Sequence, residues 1–165
     1  MRTHSIIDSP VGELTLVNTD GVLSALYMEV HARRPDQAGF GERTRTGFEQ
    51  ATEQLAEYFG GQRTQFALPL APLGSEFQQQ VWQLLQHIPY GETRTYGQLA
   101  DELGNRRVIR AVGSANARNP IGIVVPCHRV IGADGSLTGY AGGLQRKEFL
   151  LALENPSRVT QPCLF

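Results

Sequence analysis

The sequence predicts an α/β protein in two parts: a small N-terminal domain of strands and one helix over residues 1–74, and a mostly helical C-terminal domain over residues 75–165. Three observations support this. Apolar and polar residues alternate in the first third of the chain, apolar residues recur at helical spacing in the second half, and a segment rich in proline and glycine at 69–74 separates the two. A chain of 165 residues suits one compact domain or two small ones.

Turn and cap residues delimit the elements of the N-terminal domain. Thr19-Asp20-Gly21 is a hairpin signal between two alternating segments. Thr46 and Glu49 form a capping-box pattern at the start of a helix that Gly60-Gly61 ends. The predicted elements are strands over 5–7, 13–17, 22–28 and 65–68, a polar surface loop over 31–45, and a helix that begins at Thr46.

Caps also organise the C-terminal domain. Ser75 with Gln78 forms a second capping box, and Thr95 is an N-cap residue. Two short helices around Gly104 match a helix-turn-helix pattern, which is a weak signal alone. The predicted elements are helices from Ser75 to before Pro89, from Thr95 to Gly104, over 107–117 and over 144–154, an apolar β-rich segment over 121–131 and a glycine-rich loop over 132–143.

Charge is distributed unevenly along a chain whose formal net charge is −1. Residues 103–130 hold Arg106, Arg107, Arg110, Arg118 and Arg129 and no acidic residue. Such a segment predicts an anion-binding face, with a solvated helix surface as the alternative.

Cys127 lies between Pro126 and His128 and is followed by Arg129. Nearby cations favour the thiolate, and a histidine can act as its base. Neighbouring side chains of an extended strand point to opposite faces, so the pair needs a bend, a water or a third residue. The alternative is a buried structural cysteine beside a surface histidine.

A Cys-His pair needs a group that orients the histidine. The candidates in the sequence are Asp134, Glu148 and Glu154, and Glu154 stands at a helix end where the dipole disfavours it. Cys163 has no basic neighbour closer than Arg158 and is expected to be non-catalytic.

Other site classes are disfavoured. Two cysteines and four scattered histidines show no metal-ligand spacing, so no metal site is predicted. The sequence contains neither a transmembrane run nor a signal peptide, and we expect a cytoplasmic protein without a membrane partner.

The sequence resembles the O6-alkylguanine-DNA alkyltransferases over nearly its whole length. Five motifs in order carry the resemblance, which is strongest from Phe77 to Glu154. They are Ile88-Pro89-Tyr90-Gly91-Glu92 before Tyr96, Arg110-Ala111-Val112-Gly113, Asn119-Pro120, Pro126-Cys127-His128-Arg129-Val130, and Gly139-Tyr140-Ala141-Gly142-Gly143 followed by Glu154.

The resemblance implies a ribonuclease-H-like N-terminal domain and a winged-helix-like C-terminal domain with a helix-turn-helix. It implies direct-reversal DNA repair without a cofactor by a protein that acts as a monomer. The alkyl group of O6-alkylguanine, and of O4-alkylthymine, would pass irreversibly to Cys127 in a single turnover. The base would first be flipped out of double-stranded DNA through the minor groove, with little sequence preference.

The resemblance also implies roles for individual residues. Cys127 would accept the alkyl group, His128 would deprotonate it through a water, and Glu154 would orient His128. Asn119 would order the turn before the cysteine, Tyr96 would protonate the leaving guanine, and Arg110 would enter the duplex. The resemblance implies further DNA contacts by Arg107, Ala111, Gly113, Ser114 and Arg118. It implies a substrate pocket lined by Val130, Tyr140, Ala141 and Lys147, and a loop over residues 135–142 that closes over the flipped base.

Ala141 departs from relatives that carry a serine there, so only backbone amides could assist lesion recognition at this position. Two rival functions stay open. One is a lesion-binding or regulatory helix-turn-helix protein that transfers nothing, although relatives of that kind replace the cysteine by tryptophan. The other is a cysteine hydrolase that uses Cys127, His128 and Glu154 and turns over.

Overall fold

The computed structural model describes residues 1–137 and 139–158. Its N-terminal half is a four-stranded sheet with a helix packed on one face. The elements are β1 (Arg2–Ile7), β2 (Leu14–Thr19), β3 (Val22–Met28), β4 (Glu42–Arg43) and the helix α1 (Glu49–Phe59), with the strands in the order β3-β2-β1-β4.

Strands β1, β2 and β3 are antiparallel neighbours, whereas β4 runs parallel to β1. The turn between β2 and β3 places Asp20 and Gly21 at positive φ, as a tight hairpin requires. Leu14 and Leu16 of β2 share the main core with Leu55 of α1, and Val17 packs on the opposite face. The first part of the polar segment 31–45 lies over that second face with the short 3-10 helix Gln37–Phe40, whereas residues 42–43, predicted as surface loop, form the edge strand β4.

Helices dominate the C-terminal half. The elements are α2 (Glu76–Gln86), α3 (Tyr96–Glu102), α4 (Ile109–Ala117), α5 (Leu144–Glu154) and two short parallel strands, β5 (Arg94–Thr95) and β6 (Val130–Ile131). Trp82 of α2 is buried, and its indole Nε1 donates a hydrogen bond to the carbonyl of Ala115 in α4 over 2.8 Å. This bond connects α2 to α4.

The edge strand β3 joins the two halves. The amide of Leu26 donates to the carbonyl of Pro120 over 2.8 Å, and the amide of Gly122 donates back to the carbonyl of Leu26 over 3.2 Å. The carbonyl of Leu23 accepts from the amide of Ala71 in the linker. The chain that leads into Cys127 is therefore anchored on the N-terminal sheet.

Most predicted elements are confirmed. The predicted capping box of Ser75 with Gln78 is present, and the predicted N-cap Thr95 forms a further box with Gln98. The last helix covers residues 144–154, as predicted. Among the described residues no helix is long and apolar enough to cross a membrane.

Four other predictions about local structure are wrong. Helix α1 begins at Glu49 with no side-chain cap, because the Glu49 carboxylate accepts from the Gly47 amide instead of completing a box with Thr46. No strand forms over 65–68, where Gln54 makes two hydrogen bonds to the backbone of Ala67. The helix predicted over 107–117 begins as the 3-10 turn Arg106–Val108, and 121–131 is a series of turns with only β6 at its end.

Candidate active site

A tight turn displays Cys127. The 3-10 helix Cys127–Arg129 follows Pro126, so the cysteine and His128 lie on a bend and not in an extended strand. This resolves the geometric difficulty that the sequence posed. The whole turn is buried, and Cys127 keeps 8% of its surface exposed, whereas His128 keeps none. The small exposed part of Cys127 faces the cavity described below.

His128 is held by Glu154. Their Nε2 and Oε2 atoms lie 2.7 Å apart. Because the pKa of Glu154 is about 2, the carboxylate is charged at neutral pH and Nε2 must carry the proton that it donates. Nδ1 is then the basic nitrogen; it is buried and has no hydrogen-bond partner in the part of the chain that is described. The structure therefore brings Glu154 to His128, and leaves Asp134 exposed on its loop.

Arg129 completes a buried ion pair with Glu154. Its Nε donates to Oε1 over 2.7 Å, its NH2 group donates to Oε2 over 3.0 Å, and its NH1 group donates to the carbonyl of Ile88. Burial alone would raise the pKa of Glu154, but the hydrogen bonds and charges of His128 and Arg129 outweigh it and lower the pKa to about 2. Arg129 thus belongs to the buried network of Glu154 and His128 and is not part of an exposed basic face.

Tyr58 of α1 also reaches this carboxylate. Its hydroxyl donates to Glu154 Oε2 over 2.6 Å, across 96 residues of sequence. The side chain is fully buried. Tyr58 lies on the buried face of α1, and no local signal in the sequence distinguishes it from an ordinary core tyrosine.

Asn119 braces the turn before Cys127. Its Nδ2 donates to the carbonyl of Val125 over 2.8 Å, and its Oδ1 accepts from the amide of Ile121. Between these bonds Ile123 has a φ of 69°, a strained conformation for a β-branched residue. The asparagine side chain therefore holds both ends of the strained segment that leads to Cys127.

The Cys127 thiol is protonated in this resting site. Burial raises its pKa, and a hydrogen bond from Asn119 and the charge of Lys147 offset part of that rise. Lys147 is itself fully buried, and its Nζ donates to the carbonyl of Val130 over 2.6 Å. Burial also lowers the pKa of His128, so the imidazole is neutral and able to accept a proton at Nδ1.

A small cavity of about 20 Å³ opens onto Cys127. About 10–15 Å³ suffices for one water, so the cavity has room for at least one. Tyr140 and Ala141 of the glycine-rich loop close one side, and the Ala141 carbonyl accepts from the amide of Ala32 over 2.9 Å. Thr138 of this loop lies outside the described residues. Asn119 also lines the cavity, and so do residues that the sequence did not single out, namely Leu26, Met28, His31, Asn116, Ala117 and Gly122.

The helix pair α3–α4 presents a basic surface. Arg107, Arg110 and Arg118 are exposed, as are Ala111 and Ser114, whereas Gly113 is half-buried against the Tyr96 ring. Arg106 is exposed too and pairs with Asp101 over 2.8 Å. The anion-binding face predicted from five arginines therefore contains four, because Arg129 is turned into the protein and paired with Glu154.

Within residues 1–137 and 139–158, no group of three or more His, Cys, Asp or Glu side chains could hold a metal ion. Cys163 lies outside the described residues. The described site offers a buried thiol beside a neutral imidazole that is hydrogen-bonded to a carboxylate.

Two family models match the chain. The first, described as 6-O-methylguanine DNA methyltransferase, DNA binding domain, matches residues 76–156. The second, described as 6-O-methylguanine DNA methyltransferase, ribonuclease-like domain, matches residues 3–72. Together they account for nearly the whole sequence.

Relatives are similar over nearly their full length. A methylated-DNA–protein-cysteine methyltransferase of Mycolicibacterium paratuberculosis is 54% identical over 163 residues, which covers 97% of this chain and 98% of the relative. One of Methanosarcina acetivorans is 48% identical over 151 residues, with 92% and 97% covered. The crystal structure of Mycobacterium tuberculosis OGT in complex with DNA superposes with a TM-score of 0.88 at 49% identity, covering 94% of each chain.

Proposed function

Because this chain belongs to the 6-O-methylguanine DNA methyltransferase family, we propose that Cys127 is the residue that takes the alkyl group from O6-alkylguanine in DNA. The family assignment makes the protein a methylated-DNA–protein-cysteine methyltransferase that acts in DNA repair by alkyl transfer. The observation that supports Cys127 most directly is the adjoining chain of contacts from His128 to Glu154, with the free Nδ1 of the imidazole as base.

The proton of Cys127 passes through a water to Nδ1 of His128, and Glu154 stabilises the imidazolium that forms. The thiolate attacks the alkyl carbon, the bond from that carbon to O6 breaks, and its electron pair stays on the guanine. Tyr96 donates a proton to the departing base. The product is a thioether that water does not readily hydrolyse, so transfer is irreversible and each molecule acts once.

DNA enters from the face that carries α4. Ala111 and Ser114 are small and exposed, which allows the helix to approach a narrow groove closely, and this favours the minor groove. Arg110 is exposed on the same helix and takes the place of the extruded base. Arg107 and Arg118 contact phosphates, which carry no sequence information, so the protein binds with little sequence preference. It binds as a single copy.

The flipped base enters the cavity at Cys127, where Tyr140 and Ala141 form one side and the Ala141 carbonyl accepts from the Ala32 amide. Val130 and Lys147 stay buried behind the cysteine as the fixed part of the pocket. O4-alkylthymine is a second substrate of the same pocket.

The deciding experiment is intact-mass analysis with peptide mapping after incubation with DNA that contains O6-methylguanine. We expect one added methyl group per protein molecule, located on the Cys127 peptide, and no addition in Cys127→Ser, which still binds the DNA. Methylation mapped to Cys163 would remove Cys127 from the reaction. Release of product with repeated turnover would favour a cysteine hydrolase, and DNA binding with no transfer would favour a lesion-binding protein.

A further inference from the structure

One oxygen of Glu154 receives hydrogen bonds from both halves of the protein. Oε2 accepts from His128 Nε2 over 2.7 Å and from the NH2 group of Arg129 over 3.0 Å, both in the C-terminal half. It also accepts from the Tyr58 hydroxyl over 2.6 Å, in the N-terminal half. Tyr58 therefore shares its acceptor atom with the base of the proposed reaction.

The position of Tyr58 is determined by its ring. The ring packs edge-on against Phe59 and Tyr90, at centroid distances of 5.2 Å and 6.3 Å, and lies 5.3 Å from the ring of Phe66. These contacts place the hydroxyl without any help from Glu154. A phenylalanine at position 58 would keep all of them.

The Glu154 carboxylate does not need Tyr58 to stay in place. Without that hydroxyl it keeps the bonds from His128 and both bonds from Arg129, one of them to Oε1. Loss of the Tyr58 hydroxyl therefore has little effect on the position of the carboxylate. Its main effect is to leave more negative charge on Oε2 for the bonds from His128 and Arg129.

We propose that Tyr58 is a positioning residue of the N-terminal half that limits how strongly Glu154 stabilises the protonated form of His128, and so restrains the loss of the proton from Cys127. This inference rests on the proposed function of Cys127 and His128. It assigns the N-terminal half a part in the reaction, through one hydroxyl on α1.

The direction of the effect follows from the sharing of Oε2. A donor on that oxygen withdraws negative charge from the bond to His128, so the imidazolium is stabilised less and the thiolate forms at higher pH. Removal of the hydroxyl reverses this. The other charged and titratable groups around the site are Arg129 on the cysteine turn, Tyr90 after α2, Tyr140 on the glycine-rich loop and Lys147 on α5, and Tyr58→Phe leaves all four in place.

The test compares Tyr58→Phe with Tyr90→Phe, in the full chain. Tyr90 is a matched control because it packs in the same aromatic group, while its hydroxyl is directed to the Leu153 carbonyl at 3.4 Å. The rate at which iodoacetamide modifies Cys127 is followed against pH by peptide mapping. We expect the profile of Tyr58→Phe to move to lower pH by about half a unit to one unit, with no movement in Tyr90→Phe.

A second comparison places Tyr58→Phe in a Glu154→Gln background, where the carboxylate is absent and the shift should vanish. A fluorinated tyrosine at position 58, whose hydroxyl is a stronger donor, should move the profile to higher pH and does not depend on the folding of the phenylalanine variant. An unchanged profile in Tyr58→Phe, an equal shift in Tyr90→Phe or a shift that persists beside Glu154→Gln would overturn the inference. Iodoacetamide reports on the thiolate alone, so failure of alkyl transfer from DNA would be seen separately.

Discussion

His128 and Glu154 stand 26 residues apart in the sequence, yet Nε2 of the imidazole donates to Oε2 of the carboxylate over 2.7 Å, and both side chains are sealed from solvent. The bond fixes which ring nitrogen carries the proton. It thereby leaves Nδ1 as the nitrogen that can receive the proton of Cys127.

Replacing Glu154 by Gln should slow alkyl transfer and move its pH profile to higher pH. Glutamine is neutral and stabilises the imidazolium less, so the thiolate forms less readily. Arg129 would lose the carboxylate that neutralises it, which should cost about 3 kcal/mol of unfolding free energy. Single-turnover kinetics on the folded variant test the rate. Glu148→Gln, on the same helix, is the control, and a normal rate with an unchanged profile in Glu154→Gln would exclude Glu154 from the mechanism.

Acid should destabilise the protein through the same carboxylate. The folded-state pKa of Glu154 is about 2, against an ordinary value of 4.5. Between these two pH values the unfolded chain is protonated at Glu154 and the folded protein is not. The stability that Glu154 contributes is complete above pH 4.5 and is lost as the pH falls toward 2, by about 3 kcal/mol in total. Denaturant unfolding at a series of pH values should show this loss in the parent protein and a weaker one in Glu154→Gln.

The lowered pKa of His128 should cause a further loss of stability on acidification, which begins at a higher pH than the loss through Glu154. Burial holds this pKa below 6.5, so stability should begin to fall as the pH drops below 6.5, where the unfolded chain is protonated first. A stability that rises on acidification through this range would contradict the neutral, buried imidazole.

Arg110→Ala should impair repair of duplex DNA far more than reaction with free O6-benzylguanine. Arg110 is exposed on α4, away from the buried network of Glu154, so its proposed work is to hold the duplex open. The two substrates are compared in single-turnover assays, with Arg63→Ala in the N-terminal half as the control. An equal loss on both substrates would assign Arg110 to the chemistry or to the fold.

Affinity for DNA should decrease with salt and vary little between sequences. Apart from Arg110, three arginines are exposed on the helix pair (Arg106, Arg107 and Arg118), which allows two or three phosphate contacts. Each contact contributes a slope near −0.9, so the logarithm of affinity should fall with that of salt with a slope of about −2 to −3. Fluorescence anisotropy at several salt concentrations measures it. A salt-independent affinity would remove the arginines from the interface.

Gly142→Ala should disturb the pocket, whereas Gly139→Ala should not. A Cβ at position 142 would lie 2.4 Å from Met28 Sδ and 2.9 Å from Tyr140 Cε2, while one at position 139 would meet no atom of the described residues within 4 Å. We expect Gly142→Ala to lose about 1–3 kcal/mol of stability and to transfer alkyl groups more slowly as Tyr140 is displaced. Thermal unfolding and transfer rates that match those of Gly139→Ala would show that the loop adapts without cost.

The sequence by itself determined the elements whose ends are local. Ser75 with Gln78, and Thr95 with Gln98, satisfy backbone groups within one turn of their own helices, so their pattern is sufficient. The motifs around Cys127 likewise identified the family from short segments in order. Thr46 does not cap a helix, because the Glu49 carboxylate accepts from the Gly47 amide and the helix begins at Glu49.

Only the tertiary structure decided what depends on distant residues. The segment 121–131 has strand-like composition, but Asn119 and the edge of β3 satisfy its backbone as turns. Arg129 lies within a basic stretch of sequence, yet burial and the Glu154 carboxylate take it out of the exposed face. Tyr58 is an ordinary core position by periodicity and becomes a partner of the active site because folding carries its hydroxyl to a carboxylate 96 residues away. Periodicity specifies which side of a helix is buried, while the identity of the buried partner is set by packing between elements.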